Sequence, residues 1–314
     1  MNSSTLTSNA GAQSVKFAKC QYQFPAQGAL GLRPLRESND ILHDVPALHA
    51  RMAEDGYLLI RGLIDRHKVF KARETILGYM AEHEGLEAGS RPLDGVMGTT
   101  GKSVGMLGRR GITHHPDVQA VLEGPELFGF YSRYFNESVT TFDYKWLRAV
   151  GKEEFTGAHY DVVYMGRGSP RLTTCWVPFA DISIEQGVLA MCVGSNHLPG
   201  FQKLRDTYGK MDVDRDHIDG WFSTDPLEIT EKFGGYWATS HFQAGDIITF
   251  GMYTMHASTT NTTDRWRLSC DVRFQPVSDP MDHRWAGNNA VGHAVSPAPV
   301  RIKSIAEVRE QWGV

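Results

Sequence analysis

The chain has 314 residues, 41% hydrophobic and 22% charged, a balance that fits a globular protein with a sizeable core and excludes disordered and collagen-like classes. A net charge of −4 supplies no broad electrostatic reason to bind nucleic acid or an anionic membrane surface. No apolar run approaches the roughly 20 residues needed to span a bilayer, and the four cysteines (Cys20, Cys175, Cys192, Cys270) form no C-x-x-C pair, so they read as reduced thiols of a cytoplasmic protein.

Residues 1–14 are rich in Ser, Thr and Asn and lack a basic start followed by an apolar stretch. They read as a disordered start rather than a secretory signal, within an N-terminal tail expected over 1–40. Asn136-Glu-Ser and Asn261-Thr-Thr match the glycosylation pattern, which means little without secretion. A single domain is expected over 41–314.

Its first part, 41–138, carries helical signals. Residues 45–52 lead into a turn at Glu54-Asp55-Gly56, followed by the short apolar strand Tyr57-Leu-Leu-Ile. Over 67–83, Val69, Ile76, Leu77 and Met80 fall on one helical face, and a second helix is expected over 117–133 with Val118, Val121, Leu122 and Phe130 buried. Between them lies the glycine-rich stretch 95–111, long enough to be a lid or binding loop. Its Gly98-Thr-Thr-Gly101-Lys102-Ser103 only superficially resembles a phosphate loop, because the position that needs the first glycine holds Val96.

The second part, 139–276, is strand-dominated. Candidate strands cover 140–150, 157–164, 172–179, 188–193, 247–253 and 267–274, separated by turns such as Glu185-Gln-Gly and Ala244-Gly-Asp. Many short strands with glycine turns predict a mainly β fold with flanking helices, of the jelly-roll kind. A polar, partly helical insertion over 200–240 carries Trp221, Phe222, Tyr236 and Trp237. Residues 277–314 form a C-terminal extension.

Chemistry concentrates at His159-Tyr160-Asp161. In a strand, alternate residues share a face, so His159 and Asp161 would present an imidazole and a carboxylate side by side. His256, at the end of the run that follows Gly245-Asp246, would complete a two-histidine, one-carboxylate set, which suits Fe(II) and leaves coordination positions open. Along 267–275, apolar Leu268, Cys270, Val272 and Phe274 alternate with Arg267, Ser269, Asp271, Arg273 and Gln275. The polar set is either a solvent face, as is usual in antiparallel sheets, or a polar interior in which Arg267 could pair bidentately with a carboxylate.

Taken together, His159-x-Asp161, His256-Ala-Ser258, Asn261 and Arg267 resemble the phytanoyl-CoA dioxygenase-like branch of Fe(II)/2-oxoglutarate oxygenases. Residues 54–63, the segment Cys175-Trp176-Val-Pro-Phe-Ala-Asp181, and 185–197 with Gly194-Ser195-Asn196-His197 support the resemblance, which covers roughly 45–276. Cys192-Val193 stands where the family usually has a proline before the glycine, and Asn196 separates the usual Ser-His pair.

The resemblance implies a double-stranded β-helix (jelly-roll, cupin-like) core. It implies Fe(II) on His159, Asp161 and His256, with 2-oxoglutarate and O2 as co-reactants. Arg267 would bind the distal carboxylate of 2-oxoglutarate with Ser258 beside it, and Trp176 would line that pocket. Arg265 competes for the arginine role, and His197 is expected to be structural. Retention of Asp161 favours oxygen insertion over halogenation. The expected reaction is hydroxylation of an unactivated C–H bond of a small organic molecule, with 2-oxoglutarate decarboxylated to succinate. Trp221, Tyr236, Trp237 and Lys102 are candidate substrate contacts, and Arg109 and Arg110 could join Lys102 in meeting an anion. The alternatives are a cupin-like metalloenzyme independent of 2-oxoglutarate and a silent binding protein on the same scaffold. Oligomeric state is not legible.

Overall fold

A computed structural model describes residues 11–98, 111–287, 290, 292–293 and 301–314. In chain order the strands are β1 (Gln13–Phe17), β2 (Cys20–Phe24), β3 (Arg33–Pro34), β4 (Tyr57–Ile60), β5 (Val139–Thr141), β6 (Trp146–Val150), β7 (Thr173–Pro178), β8 (Leu189–Val193), β9 (Tyr236–Thr239), β10 (Ile247–Gly251), β11 (His256–Ser258) and β12 (Arg267–Pro276). The α-helices are α1 (Val45–Asp55), α2 (Arg66–Glu82), α3 (Pro116–Leu122), α4 (Pro125–Phe135), α5 (Val162–Met165), α6 (Gln202–Asp206), α7 (Val213–Asp216), α8 (Pro226–Phe233) and α9 (Ile305–Trp312). No helix among the described residues is long and apolar enough to cross a membrane.

The strands form two main sheets. The larger runs β4-β10-β7-β12-β5, with β6 also paired to β12, and the smaller runs β11-β8-β9-β3. This is the mainly β, jelly-roll-like architecture with flanking helices that the turn pattern predicts, built as two sheets rather than a closed barrel. The larger sheet separates two environments. Leu58, Ile60, Leu147, Ala149, Cys175, Val177, Leu268, Cys270, Val272 and Phe274 point outward into a core shared with α2, α3 and α4. Tyr57, Leu59, Trp176, Ile248 and Phe250 point inward and share a second core with Leu189–Val193 of β8 and with Trp237 and Ala238 of β9.

This division decides between the two readings of β12. Its apolar face is covered by helices, and its polar face looks between the sheets: Arg267, Ser269, Asp271, Arg273 and Gln275 are all buried. The solvent-face reading is therefore excluded.

Four other expectations need correction. Part of the expected 1–40 tail is core, because the β1–β2 hairpin buries Val15, Phe17 and Tyr22 and β3 pairs with β9. The strand expected over 140–150 breaks into β5 and β6, which pair with opposite ends of β12. At the break the buried Lys145 turns its ammonium back onto the Phe142 carbonyl and meets Glu123 at 3.0 Å. The helix over 117–133 divides at Gly124-Pro125, because proline lacks an N–H and disfavours helical backbone in the preceding residue, and Gly124 is extended (ψ 161°). Finally, no strand spans 157–164: the chain makes single bridges at Ala158 and His159 and then turns into α5.

Candidate metal centre

His159 and His256 face each other in an isolated antiparallel bridge. Each backbone N–H donates to the other's carbonyl, at 3.0 Å from His159 and 3.1 Å from His256. The imidazoles lie with centroids 4.1 Å apart. His159 Nδ1 donates to the Gly157 carbonyl at 2.8 Å and His256 Nδ1 to the Thr254 carbonyl at 3.0 Å. Spending Nδ1–H on a carbonyl fixes the tautomer and leaves each Nε2 lone pair free, the arrangement metal-binding histidines adopt. The segment that carries His256 is clamped from two sides. Ser195 Oγ accepts the Met255 N–H at 2.8 Å, and Thr254 Oγ1 donates to the Gly56 carbonyl at 2.7 Å. Gly56 (φ 83°) is required there, because a Cβ would stand 2.9 Å from Thr254 Oγ1.

Asp161 joins the histidines by a route that strand alternation does not describe. It sits at helical backbone angles (φ −67°, ψ −25°) at the mouth of α5, so the turn aims its carboxylate inward. Oδ1 lies 3.7 Å from both His159 Nε2 and His256 Nε2. Oδ2 is taken by the Thr174 hydroxyl and by Arg273 Nη2 at 3.2 Å. One oxygen therefore faces the histidines and the other is occupied. The three residues are buried and their ligand atoms all lie within 4.8 Å of one another.

The electrostatics suit a cation. Burial, and secondarily His256, pushes His159 down to about 3, so its imidazole is neutral at physiological pH. Burial alone would raise the Asp161 carboxyl, but Arg273, the two histidines and the Thr174 hydroxyl outweigh it and hold it well below the usual carboxylate range. Two imidazole nitrogens and one carboxylate oxygen converging in a buried site are the donor set of a facial triad.

Arg267 is buried on the inward face of β12. Its Nε donates to the Gly187 carbonyl at 2.9 Å, its Nη1 meets the Ser269 hydroxyl, and its Cζ lies 5.9 Å from the Trp176 ring centroid. No carboxylate among the described residues pairs with it. Burial, with Arg148 nearby, lowers it to about 10, so it stays charged at neutral pH. A buried guanidinium without a counter-ion is costly unless a ligand supplies one. Arg265 is half-exposed and donates to the Asp94 carbonyl at 2.8 Å on the surface, away from the interior. Ser258 is buried, and its Oγ accepts the Thr156 N–H at 2.8 Å, which leaves its own proton to donate. Asn261 holds the turn before Arg267, donating to the Val150 and Arg265 carbonyls at 3.0 and 2.9 Å. His197 lies exposed in a turn.

The aromatic residues of the insertion separate. Trp237 is core: it is 1% exposed, its Nε1 donates to the Pro226 carbonyl and its ring meets Phe17 edge-on at 5.1 Å. Tyr236 lies under Arg33, 3.8 Å from Cζ to ring centroid, and Phe222 is buried. Trp221 is 41% exposed and lines a cavity of about 630 Å³ with Tyr164, Asp219, Glu228 and Arg309. Tyr164 in turn packs edge-on against His159 with centroids 5.6 Å apart. Lys102, Arg109 and Arg110 lie outside the described residues. Sequence reasoning did not single out Thr174, Arg273, Arg148, Ser269 or Tyr164. For Arg273 and Ser269 a signal existed, since both share the alternating polar face with Arg267.

The family model for phytanoyl-CoA dioxygenase matches residues 52–269. Comparison with curated proteins finds no match. Among solved structures, the chain is similar to the nogalamycin-biosynthesis epimerase SnoN in complex with Fe3+, alpha-ketoglutarate and nogalamycin RO (18% identity, TM-score 0.54, covering 83% of this chain and 94% of that one). It is similar also to EctD from S. alaskensis (16%, TM-score 0.53, 83% and 89%) and to the alpha-ketoglutarate-dependent carbocyclase SnoK (14%, TM-score 0.51, 79% and 92%). At these identities the likeness is one of fold.

Proposed function

Since the chain belongs to the phytanoyl-CoA dioxygenase family of Fe(II)/2-oxoglutarate-dependent oxygenases, with Fe(II), 2-oxoglutarate and O2 as its cofactor and co-reactants, we propose that it hydroxylates an unactivated C–H bond of a small organic molecule. The observation that carries the reading is the pairing of a buried His159/Asp161/His256 cluster with a buried Arg267 that no carboxylate among the described residues neutralises, between the same two sheets.

Bound Fe(II) and 2-oxoglutarate would activate O2, with one oxygen atom going to succinate as 2-oxoglutarate loses CO2 and the other to the substrate C–H bond. The protein's residues do the rest. His159 and His256 hold Nε2 toward the metal because their Nδ1 protons are spent on carbonyls. Asp161 would offer Oδ1 to the metal, because the Thr174 hydroxyl and Arg273 already occupy Oδ2. Arg267, steadied by Gly187 and Ser269, pairs with the distal carboxylate of 2-oxoglutarate, with Trp176 as a wall and the Ser258 hydroxyl as a further donor. Trp221 and Tyr164 border the space in which the substrate is held.

Anaerobic addition of Fe(II) and 2-oxoglutarate is expected to produce the weak visible band of the chelate in the native protein and none in Asp161→Ala or His256→Ala. With a turned-over substrate, succinate release should accompany one labelled oxygen atom from O2 in the product. An iron-loaded protein that never consumes 2-oxoglutarate would overturn the reading, and a desaturated or cyclised product would overturn its hydroxylase part.

A further inference from the structure

Arg148 occupies the middle of β6, and its neighbours Leu147 and Ala149 point outward into the helix-covered core. Arg148 therefore points inward, opposite Ser269 in the β6–β12 pairing and on the same face as Arg267, Asp271 and Arg273. Its Nε donates to Asp271 Oδ2 at 2.9 Å. Its two terminal nitrogens hydrogen-bond to no described residue, and the side chain is 28% exposed although it faces the space between the sheets. An arginine with its Nε edge tied down and its outer edge open in an interior chamber is preorganised to receive an oxyanion.

Arg148 stands opposite Ser269, whose hydroxyl meets Arg267, and it bonds Asp271, the inward-facing neighbour of Arg273, which reaches Asp161, so it lies between the two halves of the site. The charges on the inward face do not balance. Arg148, Arg267 and Arg273 face two carboxylates, Asp161 and Asp271, leaving one positive charge. Glu154 is exposed, with its carboxylate on the Gly151 N–H, so solvent screens the charge it directs at Arg267. Fe(II) and the 2-oxoglutarate dianion cancel each other, so the loaded chamber keeps that single positive charge. A low-dielectric interior favours a ligand that neutralises it.

We propose that Arg148 is a substrate-binding residue and that the substrate class is a monoanion, a carboxylate or similar singly charged oxyanion held by the open edge of this guanidinium. The inference rests on the Fe(II)/2-oxoglutarate reading above and deepens it. Arg148 sets which molecules enter, while Arg267 keeps the cosubstrate.

The test uses full-length protein loaded anaerobically with Fe(II) and saturating 2-oxoglutarate, titrated calorimetrically with acetate, benzoate and octanoate, each against its neutral amide. At least one carboxylate is expected to bind ten-fold or more tightly than its amide. Arg148→Gln should abolish that preference while 2-oxoglutarate affinity, read from the visible band, stays within two-fold. Arg148→Lys, which keeps the charge, should retain part of the preference and serves if the glutamine variant does not fold. Equal binding of acids and amides, a preference that survives Arg148→Gln, or a parallel fall in 2-oxoglutarate affinity would each overturn the proposal, the last by moving Arg148 into the cosubstrate site. Absence of the visible band in the native protein would instead overturn the reading on which it rests.

Discussion

Asp161 keeps one oxygen for a metal because the other is already engaged. The Thr174 hydroxyl and Arg273 Nη2 both address Oδ2, and the Arg273 guanidinium also stacks 4.1 Å from the Trp146 ring centroid, which fixes it in place. Loss of such supporting bonds commonly costs about 10–100-fold in metal affinity. Arg273→Gln is therefore expected to weaken Fe(II) binding by about that factor, and Thr174→Val, which removes a hydroxyl at nearly constant volume, by less. Competition against a chromophoric chelator measures both, and unchanged affinity in Arg273→Gln would show that the pair is incidental. These residues were only partly legible in the sequence. Arg273 stands six positions after Arg267 on an alternating face, but nothing in the spacing says that it meets Asp161.

At the scale of elements, β12 and α9 show two ways an amphipathic pattern is used. The outward face of β12 packs Phe274 against Tyr131 of α4, with rings 4.2 Å apart and 13° from parallel, while its inward face carries the site. Helix α9 begins with a capping box at Ser304 and Glu307, and it is held to α8 through Arg309 and Glu228. Burial alone would raise the Glu228 carboxyl, but Arg309, Lys232 and Ser223 outweigh it and bring it down to about 2. A depressed carboxylate contributes stability that is fully present above its unfolded pKa, near 4.5, and is lost as pH falls toward 2. The attachment of α9 should therefore loosen progressively over that window. Glu228→Gln should lose about 1–3 kcal/mol at neutral pH and flatten the acid dependence between pH 4.5 and 2. Chemical denaturation across pH, with hydrogen exchange over 305–312, reads both effects. An acid slope identical to that of the native chain would remove the clamp from the account.

For the whole molecule, the inner core needs the N-terminal hairpin. Phe17 meets Trp237, Ala18 N–H donates to Thr260 Oγ1 at 3.1 Å, and Thr260 N–H returns to the Lys16 carbonyl at 2.9 Å. Val15, Phe17, Tyr22 and Phe24 are buried there, each contributing about 1.5–3 kcal/mol. Their sum is comparable to the net stability of an ordinary domain. A chain lacking residues 1–25 is expected to lose its cooperative thermal transition, and retention of a native Tm would contradict the hairpin's place in the core.

The sequence by itself determined the mainly β class and most strands of the second half, through local periodicity, while the family, with the expectation of His159, Asp161, His256 and Arg267 as its site, rests on the resemblance of ordered motifs. The N-terminal hairpin looks like tail in the sequence because its five-residue strands follow a polar start and show their partners only in three dimensions. Tertiary structure alone decided which side of β12 is inside, since an alternating strand looks the same from sequence whether its polar face meets water or a chamber. It also decided that a turn, rather than strand alternation, brings Asp161 to the histidines. The same holds for the open edge of Arg148, because hydrogen-bonding vacancies exist only once every neighbour has been placed.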